Sequence, residues 1–235
     1  MDDTTLVARS AISPAPPEVV VAGWAVSGRS STGALTLTDA SPLAKVAVRA
    51  DVDGALARAV DVPFGRTSRD VVALDTAEGD LLVVGSGPGE WLVLGAPGTH
   101  AAISEQLGRL AERSTTGPSG DSGELVTVVD LTHGRALMRL TGPAAVELLA
   151  RECAVDLSDV ACPDGSALRT AVAGLATDVV RDDRDGTPSY LLHCERSSGQ
   201  YLFDALLDTG TELGVDVDGF TLTSPRREPR ASNHS

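Results

Sequence analysis

The sequence predicts an α+β protein built from two α/β-sandwich halves, ferredoxin-like or plait-type, with mostly antiparallel sheets. Three observations lead there. Each half runs strand, hairpin turn, strand, amphipathic helix, an echo carried by pattern more than by residue identity. The strands are joined by short Gly- and Asp-rich turns, which makes neighbours antiparallel and leaves one sheet face for helices. Residues 114–123 (STTGPSGDSG) are poor in apolar side chains and rich in Gly and Ser, so they read as the linker between the halves. The expected division is a variable N-terminal arm at 1–33, a first half at 34–113, the linker at 114–123, a second half at 124–222 and a disordered polar tail at 223–235.

In chain order, residues 1–33 are dominated by Ser, Pro and Ala, and only 19–26 form an apolar cluster. They read as a loosely attached arm with one strand. Residues 43–50 (LAKVAVRA) alternate with the period of a strand. After the Asp51-Val52-Asp53-Gly54 turn, 55–60 form a short helix or an extended piece. Segments 71–74, 81–85 and 91–94 read as strands, separated by turns at Glu78-Gly79-Asp80 and Gly87-Pro88-Gly89-Glu90. Residues 100–113 place Ile103, Leu107 and Leu110 on one helical face.

In the second half, 125–131 and 135–140 are strands. Thr141-Gly142-Pro143-Ala144 then opens a helix over 144–153, with Thr141 as the expected N-cap and Pro143 in the first turn, where a missing N–H costs nothing. Residues 170–181 hold one or two strands, 182–186 form a polar hairpin turn and 189–194 a strand. Residues 197–213 are a helix that Gly214 stops, where left-handed geometry favours glycine.

With 19 basic and 33 acidic residues the net charge is −14, which argues against nucleic acid and against an anionic membrane surface. Lys45 is the sole lysine and sits in Leu43-Ala44-Lys45-Val46, so no P-loop exists and a Schiff-base enzyme would have to use Lys45 itself. Cys153, Cys162 and Cys194 form no C-x-x-C pair and read as reduced thiols. Asp2 and Asp3 replace the basic opening of a signal peptide, and no apolar run reaches membrane-spanning length. The expectation is a cytoplasmic protein.

The chemical motifs are thin. Gly120-Asp121-Ser122-Gly123 has the letters of a protease nucleophile box, yet it lies in the linker without a following Gly-Pro or a matching upstream histidine. Gly85-Ser86-Gly87-Pro88-Gly89-Glu90 lacks the third glycine of a dinucleotide fingerprint and leads into a strand. Around Asp183-Arg184-Asp185-Gly186 a calcium loop would need carboxylates where Arg181 and Leu192 stand. His100, His133, His193 and His234 show no metal-ligand spacing, so no metal site is expected. The residues alone yield no catalytic constellation. Trp91 behind its glycine turn, and Arg135, Arg139 and Arg196 on or beside strands, are the candidate interface residues.

Several ordered boxes resemble one family. Asp130-Leu131-Thr132-His133-Gly134-Arg135, then Leu140-Thr141-Gly142-Pro143-Ala144-Ala145 with Leu148-Leu149-Ala150, then Cys153-Ala154-Val155-Asp156-Leu157 resemble the gamma subunit of heterotetrameric sarcosine oxidase. So do Ser41-Pro42-Leu43-Ala44, Gly87-Pro88-Gly89-Glu90-Trp91-Leu92, Gly165 with Thr170, Glu195-Arg196-Ser197 and Glu212-Leu213-Gly214, in the expected order. The match covers residues 41–214. That family is distantly similar to the aminomethyltransferase (T-protein) fold, which binds tetrahydrofolate, and the two halves then correspond to its first two domains. In that fold an acidic residue after the Gly-Pro-x-Ala helix serves folate chemistry. Asp156 holds the comparable place and is the one catalytic candidate, in a chain too short for the third domain that closes the folate cavity.

The resemblance implies a non-catalytic subunit that stabilises a complex with alpha, beta and delta partners. Such a complex oxidises sarcosine with O2 to glycine and H2O2 and delivers 5,10-methylenetetrahydrofolate or formaldehyde. FAD, FMN, NAD and tetrahydrofolate are expected in the partner subunits and no cofactor in this chain. The alternatives are a stand-alone tetrahydrofolate-binding protein using Asp156, and an unrelated small-molecule-binding domain.

Overall fold

The structure is a computed structural model and describes residues 6–74, 81–115 and 124–222. The expected turn at Glu78-Gly79-Asp80, most of the 114–123 linker with its Gly120-Asp121-Ser122-Gly123 box, and the 223–235 tail lie outside the described residues.

The arm carries three strands. β1 (Ala8–Arg9) pairs parallel with β3 (Trp24–Ser27), which pairs antiparallel with β2 (Glu18–Val21). The β2–β3 turn is Ala22-Gly23, both at positive φ (49° and 79°), the geometry of a two-residue hairpin whose twist matches its strands. The arm is not loosely attached, as the sequence suggests. Trp24 stacks on His133 with ring centroids 4.7 Å apart, Val26 packs on Phe220, and Ile12 is buried in the main core. Apolar residues too few to make a core of their own are buried against the rest of the chain.

The first half begins with β4 (Leu35–Asp39), β5 (Ala44–Arg49) and α1 (Ala55–Val60). β6 (Thr67–Ser68) follows, then a 3-10 turn at Val72–Leu74, where a strand was expected, then β7 (Leu82–Gly87), β8 (Glu90–Gly95) and α2 (His100–Thr115). The second half contributes β9 (Thr127–Asp130), β10 (Arg135–Thr141), α3 (Ala145–Glu152), β11 (Ala167–Val172), β12 (Leu175–Arg181), β13 (Ser189–Glu195), α4 (Gly199–Gly210) and β14 (Val215–Asp218). Thr141 does not cap α3. It ends β10 with its hydroxyl 2.9 Å from that of Ser189. Gly142 makes the corner instead: its φ is 146°, and a Cβ there would stand 2.2 Å from the Ala34 carbonyl oxygen. Gly214, at φ 70°, does end the last helical segment.

The halves exchange strands. The six-stranded sheet runs β11-β12-β13-β10-β4-β14, so β4 from the first half lies beside β10 of the second. The five-stranded sheet runs β6-β7-β8-β5-β9, so β9 from the second half is an edge strand of the first sheet. The boundary expected at 114–123 therefore does not separate the sheets, and neither sheet is a self-contained plait. Pairing is antiparallel in both sheets except β14 with β4.

Alternation explains the layering. Ala136, Met138 and Leu140 of β10 point to one side and pack with Leu148 and Leu149 of α3 and Leu202 and Leu206 of α4. Each of these leucines is fully buried and contributes roughly 2–3 kcal/mol. Val46, Val48, Val83 and Val93 face Leu56 of α1 and Ile103 and Leu107 of α2. Leu82, Val84, Leu92 and Leu94 form a third cluster with Leu137, Val180 and Leu191, where the two sheets meet face to face. The result is four layers: helices, sheet, sheet, helices.

Candidate functional site

The inter-sheet face of the six-stranded sheet is apolar only at its centre. The residues alternating with Leu137, Val180 and Leu191 are charged or polar: Arg135, Arg139 and Thr141 on β10, Asp178 on β12, Ser189, His193 and Glu195 on β13. Buried polar groups need partners, and three clusters supply them.

The first centres on Asp182, just past β12. Its carboxylate, 9% exposed, accepts from Arg69 Nη2 at 2.5 Å and Arg139 Nη2 at 2.7 Å, and lies 3.0 Å from Arg184 Nη2. Arg139 Nη1 also donates to Ser189 Oγ at 2.8 Å. Burial alone would raise the Asp182 carboxyl, but Arg139, Arg69 and Arg184 outweigh it and bring the pKa down to about 2. For Arg139 the balance runs the other way. Burial lowers it to about 10 against the pull of Asp182, since one shared carboxylate returns less than desolvation costs. Both groups remain charged at neutral pH. The carboxylate's direction is the better guide to the cluster, because three cations share that anion.

The second is a relay of Arg169, Asp178 and His193. Arg169 Nε donates to Asp178 Oδ1 at 2.6 Å, and His193 Nδ1 lies 3.3 Å from Asp178 Oδ2. Burial lowers the His193 pKa, with Asp178 opposing. Burial pushes Asp178 up, but hydrogen bonds from His193 and Arg169 bring it below the usual carboxylate range. The imidazole is therefore neutral with its Nδ1–H toward Asp178, which leaves Nε2 as a buried acceptor without a partner among the described residues.

The third surrounds Lys45, fully buried on β5. Its ammonium donates to the carbonyls of Ser41 at 2.7 Å and Leu43 at 2.8 Å. Burial lowers its pKa to about 8, while Asp39 and Asp130 oppose the shift. The sole lysine holds the β4–β5 corner, and this placement gives it no open approach for Schiff-base chemistry.

The residues singled out in sequence do not converge. Asp156 lies in the loop after α3, exposed, with Oδ1 accepting the Ser158 N–H at 2.9 Å. These hydrogen bonds hold its carboxyl below the ordinary range. Trp91 is 6% exposed, with Nε1 donating to the Val62 carbonyl at 2.8 Å. Arg135 pairs with Glu195 at 2.9 Å, and Arg139 is committed to Asp182. Arg196 Nη2 donates to the Arg9 carbonyl at 2.8 Å and so fastens the arm. Asp182, Asp178 and His193 are not singled out as site residues by sequence reading, and Lys45 is noted there only as the sole lysine. For Asp178 and His193 the signal is a titratable residue at an inward strand position next to Val180 and Leu191.

No group of three or more His, Cys, Asp or Glu among the described residues is arranged to hold a metal ion. No described helix is long and apolar enough to cross a membrane.

Residues 34–228 match the GCVT N-terminal domain family. An aminomethyltransferase of Saccharopolyspora erythraea is 29% identical over 142 residues, which make up 60% of this chain and 35% of that protein. A chain of the heterotetrameric sarcosine oxidase from Corynebacterium sp. U-96, solved with pyrrole 2-carboxylate, is 22% identical with a TM-score of 0.60. That match covers 78% of this chain and 87% of that one. Aminomethyltransferase T of the glycine cleavage system from Bartonella henselae is 16% identical with a TM-score of 0.59, over 86% of this chain and 55% of that one. At these identities the two solved structures establish a shared α+β fold of the aminomethyltransferase kind, and the chain spans little more than a third of the curated relative's length.

Proposed function

The chain belongs to the GCVT N-terminal domain family, and from that premise we propose that it is the gamma subunit of a cytoplasmic heterotetrameric sarcosine oxidase, without an active site of its own. In this reading it packs against the alpha, beta and delta subunits and stabilises a complex that oxidises sarcosine with O2 to glycine and H2O2. The one-carbon unit leaves as 5,10-methylenetetrahydrofolate or formaldehyde. FAD, FMN, NAD and tetrahydrofolate belong to the partner subunits. The observation that carries the reading is coverage: the structural likeness takes in 87% of a sarcosine oxidase chain but 55% of an aminomethyltransferase T.

The second reading is a stand-alone tetrahydrofolate-binding protein using Asp156, and the sequence match to an aminomethyltransferase favours it. The donor set at Asp156 does not fit that cofactor. The side chain is exposed, with one oxygen occupied by the Ser158 N–H. No reaction step is assigned to it.

Co-expression with the alpha, beta and delta subunits tests the proposal. The expected result is co-elution of this chain with the flavin absorbance at stoichiometric ratio. A stable monomer with no affinity for the flavin-bearing chains would refute it. Titration of the purified chain with tetrahydrofolate separates the second reading, which requires saturable binding that Asp156→Asn removes.

A further inference from the structure

The Gly87-Pro88-Gly89-Glu90-Trp91-Leu92 box does more than turn a hairpin. Its glycine turn, the Val52-Asp53 turn, α1 and the 61–64 segment enclose a surface groove of about 410 Å³. The Trp91 ring forms its floor, fixed by the bond from Nε1 to Val62. Val52 and Phe64 stand on its rim, 60% and 63% exposed, and place apolar surface beside the groove.

The groove is preformed. Gly89 sits at φ 67°, and a Cβ there would be 2.3 Å from the Ala50 carbonyl oxygen. At Gly85 a Cβ would meet the Pro63 carbonyl oxygen at 2.1 Å. Both walls are therefore fixed by backbone packed against backbone.

Charge on the rim selects the occupant. Asp53 and Asp61 line the groove, both exposed. Arg58 also lines the groove, with its Nη1 donating to the main-chain carbonyl of Asp53 at 2.5 Å, so the lining carries two carboxylates against one guanidinium. Among the described residues neither carboxylate is in an ion pair. An apolar floor with unpaired carboxylates at its edge complements an apolar side chain flanked by Lys or Arg, since a burial term is joined there by charge attraction.

Resting on the subunit reading above, we infer that this groove is the docking site for a basic-flanked apolar residue of one of the larger subunits. Trp91, expected from sequence as an interface anchor, then acts as the floor on which the partner's side chain rests.

The test measures affinity between the purified chain and the remaining subunits of the complex, purified without it. Two variants change exposed rim positions: Phe64→Ser, and the double change Asp53→Lys with Asp61→Lys. Val160→Ser, exposed in the second half, is the control, and thermal melts of each isolated chain verify folding. Each groove variant is expected to weaken binding at least tenfold, with the charge-reversed variant's deficit shrinking as salt is raised, while the control binds as wild type. If wild type binds and both groove variants bind within twofold of it, the groove is overturned and the subunit reading stands. If wild type does not bind, the subunit reading fails and the groove assignment with it. If the isolated chain dimerises and Phe64→Ser dissolves the dimer, the groove belongs to a second copy and the inference is likewise overturned.

Discussion

Asp182 is the residue where most of the interior charge converges, with Arg69, Arg139 and Arg184 each within 3.0 Å of its carboxylate. Its pKa in the folded chain is about 2, below the 3.8 of an unperturbed aspartate. A depressed carboxyl stabilises the fold fully above the unfolded value and loses that contribution as pH falls toward the folded one. The window is therefore pH 4 to 2, and the contribution on the order of 2–3 kcal/mol. Asp182→Asn leaves Arg139, 15% exposed, beside two other guanidinium groups with no anion among them. The variant should lose about 3 kcal/mol at pH 7, and its stability should fall less steeply than wild type's from pH 4 to 2. Urea unfolding across that range reads both quantities, and an unchanged slope would mean that the cluster contributes no linkage. Lys45 has the opposite signature. Its folded pKa of about 8 lies below the ordinary 10.5, so burying the ammonium costs stability at neutral pH and the cost disappears as pH rises from 8 to 10.5. In sequence Lys45 stands out only as the sole lysine, and Asp182 does not stand out. Asp182 reads as part of a polar turn because pairing across 43 or 113 residues leaves no local trace. Lys45 reads as one residue of an alternating strand, since its bonds to Ser41 and Leu43 are local but its burial is not.

At the scale of elements, the long periodic segments are legible and the Ala-Gly turns are not. α2, α4 and the strands β5, β8, β10 and β13 lie where periodicity puts them. Two-residue hairpins usually announce themselves as Asn-Gly or Asp-Gly. Asp185-Gly186 does so and reads as a turn. Ala22-Gly23 and Ala173-Gly174 adopt the same positive φ values with an alanine first. This is why the arm reads as one strand and why 170–181 reads as one strand or two. The arm's attachment is also invisible locally, since Trp24 finds His133 more than a hundred residues away. Trp24→Ala removes that stack and the packing on Val26 and Phe220. If the arm is an integral part of the fold, the urea midpoint falls by the equivalent of about 3 kcal/mol with an unchanged m value. A loosely attached arm would leave the midpoint where it is.

On the scale of the whole molecule, the chain is divided by sequence but not by structure. The Gly/Ser stretch at 114–123 and the repeated strand–strand–helix order are real features of the sequence, and they point to two units. The sheets are joined differently, because β4 hydrogen-bonds to β10 over Thr36–Asp39 while β9 pairs with β5 over Thr127–Asp130. Strand partnership depends on which edges remain open after the local hairpins form, and periodicity carries no information about that. A fragment of residues 124–235 would keep β10 with its β4 edge unpaired, and β9 without a sheet. A fragment of residues 1–115 would carry β4 with no sheet to join and the arm's own sheet without His133 and Phe220 to pack on. Each would expose a strand edge and one side of the Leu137–Leu191 inter-sheet layer. Neither fragment should fold alone, judged by amide hydrogen exchange. Mixed together, the two should complement each other and recover protection in both sheets. The intact chain should unfold in one step, with tryptophan fluorescence and far-ultraviolet dichroism giving the same midpoint. Two separate transitions, or a folded 124–235 fragment, would show that the exchanged strands are dispensable and that the linear division is the true one.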